Sequence, residues 1–366
     1  MFSTFIRLFV FAVLLTASKV ASSEAGRWQL SDEGAAFVNH LGRESLHLTK
    51  GEGTYLGPDF HNGVIEFDMA FKELPGFPGF RFRDQDGGQT AEAFYLRPDV
   101  PGKPDANQYT PVFHGMYAWQ IYTGARYAAP VGYNYEGWTH FKFVVKGDQM
   151  DVYIDSEEPV LHVESLVQGD SKGGITFHGT YQGDYYISNF RVEHRDDVLI
   201  KGTPAELKQL PEGAIRQFGV ATTPISAKVI EGALTLDASL LSGLAWTSLP
   251  VGETGAANLD RLLKRTNADN TALVRLVIHA DEAKTVQMRY GFSDRMVMFL
   301  NRRAVASGND GYGTRDFQFM GTVGYHAGIF LPLQKGRNEL VVAVTEIFGG
   351  WAFLGAIADR EGIRIE

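Results

Sequence analysis

From Trp28 onward the chain alternates apolar and polar residues in short runs broken by glycine, asparagine and aspartate. This period-two pattern belongs to strands with one face in a core. The clearest run is 64–71. Ile65, Phe67, Met69 and Phe71 take one side, Val64, Glu66, Asp68 and Ala70 the other, and the turn pair Asn62-Gly63 precedes them. Further strands are expected at 138–146, 150–154, 174–178 and 185–192 in the first half, and at 273–279, 285–290, 296–300 and 339–345 in the second. Short helical turns are expected only at 204–210 and 258–264. Many short strands joined by glycine-rich turns, without an amphipathic helix, predict an all-β chain of two β-sandwich (jelly-roll) domains in tandem.

The pattern also sets boundaries. Residues 1–25 have the form of a signal peptide: Arg7, an apolar run at 8–15 too short to span a bilayer, then small residues. Cleavage is expected between Ala21 and Ala25, with export to a periplasm or the exterior and no membrane span in the mature chain. Residues 26–195 form the first expected domain and 218–366 the second. Residues 196–217, charged and carrying Pro204 and Pro211, form the linker.

Several runs carry a resemblance. GVIEFD from Gly63, WTHFKFVV from Trp138, VYID from Val152 and YISNFRV from Tyr186 resemble the strand signatures of concanavalin A-like lectin/glucanase sandwiches. The laminin G-like branch is nearest, and the resemblance covers 28–194. YGFSDRMVMFLN from Tyr290 and LQKGRNEL from Leu333 resemble galactose-binding-like jelly rolls. The first resemblance implies a glycan or oligosaccharide on the concave sheet, in some members beside calcium. The second implies a module that binds carbohydrate, packs against its neighbour or takes a protein partner.

Composition narrows the chemistry. A formal charge of −9 over 366 residues argues against nucleic acid as a partner. The absence of cysteine excludes disulfides, thiolate metal sites and cysteine nucleophiles. No zinc spacing or phosphate-binding loop is present, and GNDGYG at 308–313 lacks the required spacing and helix. No cofactor is expected. Asp84-Gln-Asp-Gly-Gly reads as a hairpin turn rather than a calcium loop, and Gly169-Asp-Ser-Lys-Gly173 as a turn rather than a nucleophile elbow.

The polar groups concentrate at 79–122. Arg81 and Arg83 are expected on one strand face, opposite Phe80 and Phe82. Glu92, Phe94 and Leu96 alternate with Ala93, Tyr95 and Arg97, and a third strand at 117–123 offers Trp119 and Gln120. Arg81, Arg83, Glu92, Arg97, His114, Trp119 and Gln120 are the candidate ligand-binding residues. Arginine forks suit carboxylates or vicinal hydroxyls, and an aromatic ring stacks on the apolar face of a sugar. The competing expectation is an internal Arg97–Glu92 pair bracing the sheet.

Glycan binding is the leading expectation, with no catalytic residue assigned. The fold also houses a group similar to 3-keto-disaccharide hydrolases, in which case Glu92 and His114 are the acid/base candidates. The chain lacks that group's Asn-Ser-Gly stretch ahead of the arginine. Glu66 and Asp68 match the first two places of the glucanase catalytic strand, but Ala70 or Phe71 stands where the second glutamate belongs, so both are read as solvent-facing. An adhesion or assembly module is the third reading.

Overall fold

The computed structural model describes residues 24–180, 182–315 and 321–366; the expected signal peptide and its cleavage window lie almost wholly outside them. The first half contributes β1 (Trp28–Leu30), β2 (Ala35–His40), β3 (Arg43–Leu48), β4 (Glu52–Tyr55), β5 (Gly63–Ala70), β6 (Gly79–Gln85), β7 (Thr90–Leu96), β8 (Asn107–Phe113), β9 (Met116–Tyr117), β10 (Thr139–Lys146), β11 (Gln149–Ile154), β12 (Leu161–Val163), β13 (Gly174–His178) and β14 (Tyr185–His194). They form two seven-stranded sheets, ordered β1-β4-β13-β6-β7-β8-β9 and β12-β11-β10-β5-β14-β3-β2. The second half contributes β15 (Gln217–Ala221), β16 (Trp246–Pro250), β17 (Ala257–Asn258), β18 (Thr271–Ala280), β19 (Lys284–Phe292), β20 (Arg295–Leu300), β21 (Arg303–Asn309), β22 (Ala327–Leu333), β23 (Gly336–Thr345), β24 (Ala352–Ala356) and β25 (Ile363–Ile365). These make a sheet ordered β16-β15-β18-β23-β20-β21, with β25 also on β18, and a four-stranded sheet β17-β24-β19-β22. The chain is all-β, built of antiparallel β-sandwiches.

The inward residues of the first sandwich are those the alternation picks out. Ile65, Phe67 and Met69 of β5 and Phe141, Phe143 and Val145 of β10 are buried, and Phe67 meets Phe80 and Phe177 of the facing sheet edge-on. Such rings dominate a sandwich core because each removes a large apolar area from water. The second sandwich packs Val274, Leu276, Met288, Met298, Val342 and Trp351 in the same manner.

Some local expectations fail. Residues 204–210 carry no helical turn. Among the described residues the one α-helix is Ala238–Ser242, capped by Asp237, and Leu259–Arg261 forms a 3-10 turn within 258–264. Asp68 is not solvent-facing: Arg43, His140 and Asn189 all bond to it, and they hold its carboxyl below the usual range although burial alone raises it. The expected third strand at 117–123 ends at Tyr117. Residues 118–122 instead form a turn, in which Ala118 O accepts from Ile121 N and Tyr122 N.

The two sandwiches meet along that turn. Ala256, Ala352 and Leu354 of the second half belong to the core cluster of the first, with Ile121 and Tyr122. Gln120 N donates to Gly349 O (2.9 Å) and Val323 N to Gln120 O (2.9 Å). Arg126 grips Glu253 at 2.7 Å, and Tyr127 OH donates to the same carboxylate.

Candidate functional site

A strand has two faces, and the first sheet shows which one is available. Phe80, Phe82, Phe94 and Phe177 point between the sheets, so Arg81, Ala93, Tyr95 and Thr176 point away from them. That outer face forms one wall of a cleft of about 700 Å³, whose other wall belongs to loops of the second sandwich. Glu52, Phe77, Arg81, Tyr95, Arg97, Tyr117, Trp119 and His178 line it from the first half, and Arg265, Tyr312, Phe348 and Gly349 from the second.

The floor is a fixed polar network. Arg81 Nη1 and Nη2 reach Glu52 at 2.9 and 3.1 Å, its Nε reaches Asp84 at 2.9 Å, and Nη1 also donates to Tyr117 OH at 3.2 Å. Burial pushes the Glu52 carboxyl up, but the hydrogen bond and charge of Arg81 outweigh it and hold Glu52 ionised. Burial, then the Arg81 charge, lowers His178 to about 4, so its imidazole is neutral. Arg97 Nη2 donates to Tyr95 OH and Gln108 Oε1, both at 2.8 Å, and its Nη1 to Asp105 O at 2.8 Å. Gln108 Nε2 in turn donates to Trp119 O (2.7 Å) and Tyr122 O (2.5 Å). Arg97 therefore positions the amide that holds the Trp119 turn.

The seven sequence candidates divide. Arg81, Arg97 and Trp119 do line the cleft. Arg83 does not share their face. The β6 register shifts between Phe82 and Gln85, Arg83 takes φ 51°, and its side chain turns to the end of the sandwich. There, fully buried, it donates to His61 O, Gly147 O and Gly169 O at 2.7–3.0 Å. Glu92 lies opposite Phe82 and so faces the core, where Tyr109 OH (2.7 Å) and Gln168 N (2.8 Å) donate to it. It forms no pair with Arg97, and burial lifts its pKa to about 7. His114 sits exposed at the tip of the β8–β9 turn with φ 52°. Burial of its ring, then the nearby Lys264 charge, lowers its pKa. Glu92 and His114 thus occupy separate environments and form no acid/base pair. Gln120 is buried under the second sandwich, against Gly321 and Gly349.

Trp119 is only 8% exposed, its ring tilted against Phe348 (5.8 Å) and edge-on to Tyr312 (6.1 Å). The rings open to a ligand are instead Phe77, Tyr312 and Phe348, at 49, 60 and 57% exposure. Sequence reasoning missed Tyr312 and Phe348 because they stand in glycine-rich loops without periodicity. Aromatics set among the glycines of GNDGYG and IFGGW were the available signal. Gly349 (φ 110°) and Gly350 (φ 123°) let the second loop lie on the first sandwich. A Cβ at Gly349 meets the Gln120 amide at 2.6 Å, and one at Gly350 meets Ala118 at 2.9 Å.

Glu52 is the only carboxylate lining the cleft among the described residues, so the paired carboxylates of a glycoside hydrolase are not assembled there. Among the described residues no cluster of His, Asp or Glu could hold a metal ion, and no helix is long and apolar enough to cross a membrane. A groove of about 750 Å³ elsewhere along the junction contains the Arg126–Glu253 pair and Tyr325 but lacks the cleft's set of exposed rings.

No protein-family model and no curated protein sequence matches the chain. Among solved structures it is similar to the carbohydrate-binding module CBM66 from Bacillus subtilis (13% identity, TM-score 0.34, covering 45% of this chain and 93% of that one). It is also similar to a Bacillus licheniformis β-glucanase (16%, 0.34, 48% and 95%) and to the carbohydrate recognition domain of Emp46p (13%, 0.31, 48% and 91%). At TM-scores of this size they say nothing of the ligand, and the functional reading rests on the cleft itself.

Proposed function

We propose that this chain is an exported carbohydrate-binding protein whose site is the cleft between the first sandwich and the loops of the second. The observation that carries the reading is the pairing of Phe77, Tyr312 and Phe348, large rings left open to solvent, with a floor of fixed donors and acceptors from Arg81, Glu52, Tyr117 and His178. Flat apolar rings match the C–H faces of a pyranose, and a preorganised polar floor matches its hydroxyls. The site needs both halves of the chain, which gives the second sandwich a role in binding as well as packing. Export rests on the sequence of residues 1–25 alone.

A printed glycan array probed with the wild-type chain and with Phe348→Ala tests the reading. The wild type should bind a defined subset of glycans, and Phe348→Ala should weaken that binding by roughly 1–3 kcal/mol, the scale of an aromatic anchor. Phe348 is exposed, so its removal should leave folding stability within about 0.5 kcal/mol. Binding that is unaffected by Phe348→Ala and Tyr312→Ala places the site elsewhere.

A further inference from the structure

The cleft differs in charge from the rest of the molecule. The chain carries 43 acidic against 34 basic residues, yet Lys50, Arg81, Arg97 and Arg265 line the cleft against Glu52 alone. Not all of that charge is available. Arg81 is engaged by Glu52 and Asp84, and Lys50 pairs with Glu33. The surplus lies in Arg97 and Arg265. Arg97 is 4% exposed; its nearest carboxylate, Asp105, is 3.8 Å away, and its Nε is buried with no hydrogen-bond partner. Arg265 reaches the cleft from the second sandwich. Its Nε contacts Met116 Sδ, and among the described residues no carboxylate forms an ion pair with it. The buried Asp260 and Asp294 carboxyls feel the Arg265 charge without contacting it, so its fork and the unpaired Arg97 Nε both leave hydrogen-bonding capacity that a ligand can satisfy.

We propose that the cleft takes an acidic saccharide, its carboxylate or sulfate group anchored by the Arg265 guanidinium with Arg97 as the second cation. The proposal rests on the cleft being the sugar site. A guanidinium presents its N–H groups in a fork that fits either anion. Phe77, Tyr312 and Phe348 hold the sugar body, and the arginines select for its charge. The protein's overall negative charge disfavours indiscriminate binding of polyanions, so any acidic preference must arise locally.

The test is an array pairing neutral glycans with uronate-, sialate- and sulfate-bearing counterparts, followed by titration calorimetry of the full chain with the strongest acidic binder and its neutral counterpart. Acidic members should bind about tenfold or more tightly than their neutral partners, the worth of one charge-assisted hydrogen bond. The uronate or sialate and the sulfate arms distinguish the two anions. Arg265→Gln should bring acidic and neutral partners to within about twofold of each other with the melting temperature unchanged, and Arg265→Lys should restore part of the preference. Equal binding of neutral and acidic partners overturns the acidic assignment and leaves the glycan site standing. A preference that survives Arg265→Gln overturns the anchor. Failure to bind any glycan overturns both readings.

Discussion

Three arginines within seventeen residues of one another end in three environments, and each has its own consequence. Arg83 is a fully buried cation held mainly by backbone carbonyls, with Asn62 Oδ1 at 3.3 Å and the Asp170 carboxylate at 3.8 Å. Removing it leaves those buried carbonyls unpaired and a cavity where the side chain stood, so Arg83→Ala should cost about 2–5 kcal/mol in urea unfolding. Arg97 is buried in the cleft wall and holds Gln108 and Tyr95. Arg97→Ala should therefore lower stability, by about 1–3 kcal/mol for the polar groups it strands, and should weaken sugar binding as well, because the Trp119 turn hangs from Gln108. A melt unchanged by Arg97→Ala contradicts this account of the wall. Arg81, clamped by two carboxylates, is the floor of the site. Residue identity alone did not separate the three, since nothing in GFRFRDQ announces that Arg83 adopts a positive φ and leaves the face of Arg81.

Strand β7 is buried along nearly its whole length: Phe94 faces the core, Ala91 and Ala93 pack with Val112 and Tyr117 on the other side, and Tyr95 lines the cleft. Its Glu92 makes the strand sensitive to pH. Burial raises the carboxyl from 4.5 to about 7, so between those values the native state holds a proton that the unfolded chain has released. The stability it contributes is complete below pH 4.5 and is lost as pH rises through about 7, at about 1.4 kcal/mol per pH unit. His178, held down to about 4, acts oppositely between pH 4 and 6.5, since its native form stays neutral while the unfolded ring charges. Wild-type curves mix these with Asp260, which burial also raises to about 7, and with the raised Asp294 and Glu346, and comparison with Glu92→Gln isolates the first. Glu92→Gln should lose less stability than the wild type between pH 5 and 7, and parallel curves refute the assignment. The elements themselves were largely legible: alternation located β5, β10, β11, β13 and β14 because each buries one face of large side chains. The turn at 118–122 was not. It is apolar and aromatic like a strand, and its burial comes from a second sandwich that local pattern does not reveal.

At the scale of the molecule, the two sandwiches share contacts at core, backbone and ion-pair level through Ala352, Gln120 and Arg126. The connecting segment is itself anchored: Asp151 accepts from Lys201 N (2.6 Å) and Gly202 N (3.0 Å), and Val198 is buried. Within 196–217 the longest continuously exposed run is 206–209. Trypsin should cut after Lys208, and the two fragments should stay in one peak on size exclusion until denatured. Separation into two native peaks indicates sandwiches that merely neighbour each other.

The central claim is that one sugar is gripped from both sides of the junction. Hydrogen exchange measured with and without a bound array-positive glycan tests it most directly. The account predicts simultaneous protection at 116–122 of the first sandwich and at 347–350 of the second, with the outer face around Asp68 and Trp138 unchanged. Protection confined to one sandwich, or appearing only on the Asp68 face, contradicts it.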